Sequence, residues 1–232
     1  VPAAPGYPEL AVKNLAELTG IDFKNSEDLI AATSDCGAYM TLSSAIKGLA
    51  VKMTKVCNDI RLLASGPRCG LKEINLPQLQ PGSSIMPGKV NPVAAEVANQ
   101  ASFLAIGLDT TVMLAASAGQ LELNVMEPVI TFALYTQMKV MTNACDTLRT
   151  KLVEGVTANT ERCKDYVMNS IGIVTLLKPH FGYQKCAAIA KEGYTTGKSL
   201  HQIVVDEQHL MTQAEWDATF NTQNLIHPKF VK

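Results

Sequence analysis

The spacing of apolar residues between about Asp35 and Ala64 constrains this chain more than any other feature. Leu42, Ile46, Leu49, Met53, Val56, Ile60 and Leu63 alternate steps of four and three, a heptad seam kept for three repeats. The seam predicts one long helix packed lengthwise on another, because a single apolar stripe does not offset the entropy lost in ordering roughly 30 residues. Ser65-Gly66-Pro67 ends it. The same steps return after Pro128 in Leu134, Met138, Met141, Cys145, Leu148 and Leu152, with Gly155 as the stop. Between them, Pro92 to Ala118 is again helical but rich in alanine (Ala94, Ala95, Ala98, Ala101, Ala105), so neighbours can approach on several sides. Three long helices without a convincing strand predict an all-α chain built on a long antiparallel helical bundle, whose remaining faces call for further helices.

The flanking segments are shorter. A first amphipathic helix is expected from about 8 to 19, opened by Pro8 and stopped by Gly20, and Ser26-Glu27-Asp28 is expected to cap a short helix through Ala32. Beyond Gly155, helical pieces begin near Thr160, Tyr183, Ser199 and Thr212, with Thr212 and Glu215 at capping-box spacing. The chain therefore divides into residues 1–157, the bundle, and 158–232, a small helical C-terminal domain.

Charge and cysteine usage narrow the function classes. Twenty Lys and Arg against 21 Asp and Glu give a formal charge of −1, and no basic run suggests a nucleic acid or a membrane surface as partner. The six cysteines are scattered without CxxC spacing, as small hydrophobes in a reducing compartment would be. No uninterrupted apolar run approaches the roughly 18 to 20 residues that cross a bilayer, and the first residues lack the pattern of a signal peptide, so a cytoplasmic location is expected. Val1-Pro2-Ala3-Ala4-Pro5-Gly6 reads like the middle of a loop, which suggests a piece of a longer polypeptide.

One polar, glycine-bearing stretch stands between the first two long helices: Gly82-Ser83-Ser84-Ile85-Met86-Pro87-Gly88-Lys89-Val90-Asn91-Pro92. Asn91 before Pro92 reads as a helix start, with the asparagine side chain as the cap and proline in the first turn. The loop then presents two hydroxyls and Lys89 at a helix N-terminus, where free amides and the helix dipole favour a carboxylate or phosphate. An ordinary capped connection with Ser83 and Ser84 as turn formers fits the same residues. His180, His201, His209 and His227 show no ligand spacing and read as structural or solvated; no metal and no cofactor is expected.

This stretch resembles the signature loop of the aspartase/fumarase superfamily, whose members eliminate a group beta to a carboxylate and release fumarate. The resemblance extends over essentially the whole chain, including residues 58–67 (Asn58-Asp59-Ile60-Arg61 onward) and Asn169-Ser170-Ile171-Gly172. Gln120 through Pro128 is similar to the aspartate ammonia-lyase branch, since fumarate hydratases typically carry lysine where this chain has Glu127. The resemblance implies Ser83 as catalytic base, Ser84, Lys89 and Asn91 as substrate contacts, and Glu96 as support for a histidine of another subunit. It also implies a small dicarboxylate substrate, aspartate or fumarate, a homotetramer whose active sites draw on three subunits, and a family chain about twice this long whose N-terminal half holds the remaining contacts. A fumarate hydratase, or a helical assembly module that keeps the loop only as a connection, are the alternatives.

Overall fold

The computed structural model describes residues 3–227 and divides the chain into two compact units. One takes the residues up to Ala64 together with Leu76–Val156; the other takes Ser65–Asn75 together with the chain from Thr157 onward.

The first unit opens with α1, Tyr7–Thr19, ended by Gly20 in the left-handed conformation, and α2, Ala31–Ser34. The start of α2 differs from the sequence expectation. The Asp28 side chain accepts from the amides of Ile30 and Ala31 (2.9 and 3.0 Å), which moves the helix later and carries it past Ala32. The bundle is formed by α3, Gly37–Leu63, α4, Val93–Ser117, and α5, Glu127–Lys151. Hydrogen bonds from Ser43 to Asp109 and from Asn99 to Asn58 show α3 and α4 to be antiparallel, and α4 and α5 are antiparallel too, since Val112 and Ala115 cluster with Ile130 and Ala133 while Ala94 and Ala98 cluster with Met141 and Ala144.

The inner face of α3 coincides with only half of the stripe that heptad counting selects. Ser43, Ala50, Met53 and Cys57 are buried, with Ile46 and Ile60 packed beside them, whereas Leu42, Leu49 and Val56 remain 44–51% exposed. Small residues win this face because α4 offers Ala94, Ala95, Ala98 and Ala105, and two small-residue surfaces approach more closely than bulky ones. Helix α4 itself reaches the length and mean hydropathy (1.2) of a membrane span. Ala94, Ala95, Ala98, Asn99, Ser102, Ala105, Asp109 and Ala115 form its buried face, whereas Phe103, Leu104, Met113 and Leu114 are exposed on the other.

A polar network crosses this core. The Asp109 carboxylate accepts from Ser43 (2.8 Å), Ser44 (3.5 Å) and Lys47, while the Gln137 amide donates to Ser43 Oγ (3.1 Å) and the Ala105 carbonyl (2.9 Å). Burial alone would raise the Asp109 carboxyl; the hydrogen bonds from Lys47 and Ser43 together with the lysine charge outweigh it and hold the group below the usual carboxylate range.

In the second unit, β1, Ile74–Asn75, pairs antiparallel with β2, Thr157–Ala158, and so ties residues 65–75 to the C-terminal segment. Heptad and capping signals carry no trace of this two-residue pairing. Then follow α6, Thr160–Met168, a 3-10 stretch Ile171–Leu177, α7, Lys178–Thr196, a π-helical stretch Gln202–Glu207, α8, Gln213–Thr219, and α9, Thr222–Ile226. Gly182 breaks α7 at φ 72, ψ 170, so the helical signal resumes at Tyr183. Thr212 and Glu215 form the expected reciprocal capping box. Leu177, Ile189, Ile203 and Val204 fill the core with Trp216, which stacks on Phe220 at 3.9 Å.

Candidate functional site

Residues 82–91 leave and return to almost one point. Gly82 has φ 82, and a side-chain carbon added there would lie 1.8 Å from the Lys89 carbonyl oxygen, so only glycine lets the two limbs of the loop touch. Asn91 closes the same point by donating its side-chain amide to the Gly82 carbonyl at 2.6 Å. This corrects the expectation that Asn91 caps α4. No side chain caps that helix, Pro92 occupies the cap position, and the Asn91 amide is engaged across the loop. A donor was needed at the Gly82 carbonyl, and a capping asparagine would have presented its oxygen instead.

Within the closed loop, Ser83 is half-buried and its hydroxyl oxygen accepts two backbone amides, from Ile85 at 3.2 Å and Met86 at 3.0 Å. Its own amide bonds the Pro81 carbonyl at 3.0 Å. Ser84 and Lys89 are exposed, and the Lys89 ammonium makes no ion pair among the described residues. The loop thus brings Ser83 and Asn91 together around Gly82, with Lys89 joined to them through its main chain. Glu96 sits half-buried in the first turn of α4, with its amide on the Pro92 carbonyl (3.0 Å) and no ion-pair partner among the described residues. It is not drawn into the loop's hydrogen bonds.

Two converging amides and a full positive charge on the same loop favour negative charge at a hydroxyl oxygen. The residue pair that supports the entrance to α4 was less visible in the sequence. Asn58 Oδ1 accepts from Asn99 (2.7 Å) and Arg61 (3.3 Å), fastening the end of α3 to the second turn of α4. The sequence marked Asn58 and Arg61 only as part of the family resemblance, and Asn99 only as a polar residue in an alanine-rich segment. Among the described residues, no three His, Cys, Asp or Glu side chains gather as a metal site would require.

Comparison with known proteins finds relatives along most of the chain. Residues 1–107, which include the loop, match the family model described as Lyase, and residues 173–227 match that described as Fumarase C C-terminus. An aspartate ammonia-lyase of Escherichia coli strain K12 is 57% identical over 224 residues, covering 97% of this chain and 47% of that protein. One from Helicobacter pylori strain 26695 is 52% identical over 228 residues, covering 98% and 48%. Among solved structures, a class II fumarase from Schistosoma mansoni superposes with a TM-score of 0.89 at 32% identity, covering 97% of this chain and 50% of that one. A fumarate lyase:delta crystallin from Brucella melitensis gives 0.88 at 40% identity, covering 94% and 47%. The chain spans about half the length of the curated relatives it matches.

Proposed function

We propose that this chain, which belongs to the aspartase/fumarase superfamily, carries the proton-abstracting loop of an aspartate ammonia-lyase. The observation that carries the reading is the pair of main-chain donors on the Ser83 hydroxyl oxygen. A serine hydroxyl is too weak a base at neutral pH unless its alkoxide is stabilised. The two amides on its oxygen supply that stabilisation, each well-aimed donor being worth up to about 3 kcal/mol.

The proposed reaction runs as follows. The Ser83 alkoxide removes a proton from the aspartate carbon adjacent to the side-chain carboxylate. The electron pair moves into that carboxylate and gives a doubly charged enediolate. Its collapse forms the carbon–carbon double bond of fumarate and expels ammonia from the neighbouring carbon, while Ser83 is left as a neutral hydroxyl that returns its proton to solvent. Lys89, with Ser84 and Asn91 beside it, meets one substrate carboxylate. The loop offers a single cation, so the second carboxylate is met by groups outside it, in a cytoplasmic homotetramer where Glu96 supports a histidine of another subunit.

A fumarate hydratase is the second reading, favoured by the fold shared with the Schistosoma mansoni fumarase. Glu127 before Pro128, and identities of 52–57% to proteins named aspartate ammonia-lyase, favour the first. Fumarate release by the complete enzyme, followed with aspartate and with malate, separates them. Ser83→Ala is expected to lower turnover about a thousandfold or more with assembly intact; a near-normal rate would move the base elsewhere.

A further inference from the structure

In the second unit, Pro67, Arg68 and Lys72 face Ala158 through Arg162 across an open depression of about 630 Å³. We propose that this depression binds a small dianion, of the hydrogen phosphate or dicarboxylate class, held by Arg68, Lys72 and Arg162.

The three cations come from chain segments some 90 residues apart, and specific contacts fix the main chain of Lys72 and the guanidinium of Arg162. Lys72 has φ 52, a conformation unfavourable for a residue with a side chain. It is held there from both sides: its amide donates to the Ser65 carbonyl (2.8 Å), and its carbonyl accepts from the Asn159 side chain (2.8 Å). Arg162 lies over the Tyr166 ring at 4.5 Å and donates through Nε to the Leu71 carbonyl (3.4 Å), which the Tyr166 hydroxyl also reaches at 3.1 Å. Fixing Nε leaves the four terminal N–H donors of that guanidinium free to point elsewhere.

Charge decides the ligand class. None of the three cations makes an ion pair among the described residues, and Glu161 is the single acid lining the depression. Three positive charges less one negative leave a net +2, which a dianion neutralises. The amides of the first turn of α6 add to this field, because the Asn159 side chain is bonded to Lys72 and Asn75 and caps nothing.

The test is calorimetric titration of the full chain carrying Lys89→Met, which removes the cation of the 82–91 loop and keeps the two sites apart. Inorganic phosphate and fumarate are the separate probes. Saturable binding of at least one is expected, weakened about tenfold or more by Lys72→Met with Arg162→Gln and strengthened by Glu161→Gln. A gain from Glu161→Gln cannot come from misfolding. The tighter probe identifies the source of the dianion. No saturable binding of either probe, or affinities that these substitutions leave unchanged, would overturn the proposal.

Discussion

Asn91 donates its side-chain amide to the Gly82 carbonyl at 2.6 Å, and this one bond joins the two ends of the loop that holds Ser83. The bond needs a donor. Asn91→Asp keeps the shape of the side chain but replaces the donor with an acceptor carboxylate facing a carbonyl. We expect the complete enzyme carrying Asn91→Asp or Asn91→Ala to lose about a hundredfold or more in turnover, with its melting temperature almost unchanged. Parallel activity and thermal-unfolding measurements check this; normal turnover in the aspartate variant would show that the bond is dispensable.

Gly82→Ala attacks the same point from the other limb. The new carbon would lie 1.8 Å from the Lys89 carbonyl oxygen, at a backbone φ of 82 that alanine avoids. The limbs must then separate. Helical circular dichroism should match the unsubstituted chain while turnover of the complete enzyme collapses, and retained activity would mean that the loop works open.

Asp109→Asn tests the core network and its pH dependence. The Asp109 carboxyl titrates lower in the fold than in the unfolded chain, so its contribution is fully present above the unfolded value of about 4 and is lost as pH falls through the lower folded value. Substitution should cost about 1 to 3 kcal/mol at neutral pH, since Lys47, Ser43 and Ser44 lose a charged acceptor. The variant's stability should also fall less steeply below pH 4. Urea unfolding at pH 7 and pH 3 distinguishes the outcomes; equal losses at both would assign the residue a packing role only.

Gln137→Ala removes a fully buried side chain and its bonds to Ser43 and the Ala105 carbonyl. The expected loss is about 2 to 4 kcal/mol, from the cavity and the two abandoned groups together. Gln137→Leu should cost less, because it fills the space and removes Oε1, a buried amide oxygen that accepts no hydrogen bond among the described residues. Denaturant midpoints of the two variants check the order.

Much of this architecture can be read from local chemistry. Gly20 ends α1, Thr212 and Glu215 cap α8, and the four-three spacing locates α3 and α5. Periodicity does not say which of two adjacent stripes turns inward. Leu42, Leu49 and Val56 are the more apolar choice, yet Ser43, Ala50 and Cys57 are buried because α4 presents small residues to them. The strand pairing of Ile74 with Ala158 joins residues far apart in sequence and leaves no local mark. The same holds at the candidate site. Ser83 and its loop are recognisable as a motif, whereas the role of Asn91 depends on the Gly82 carbonyl, and the backbone of Lys72 on the Ser65 carbonyl and the Asn159 amide, that the fold brings to them.

The two amides on Ser83 also settle a question of direction. A neutral hydroxyl oxygen has one hydrogen and two lone pairs, arranged about the oxygen with the Cβ bond as the fourth direction. The Ile85 and Met86 amides both point at the lone-pair side of this oxygen, which steers the hydrogen away from them. When that hydrogen departs, the electron pair it leaves points along the same line, away from the amides. A proton exchanged at Ser83 would therefore come and go on the side away from Ile85 and Met86.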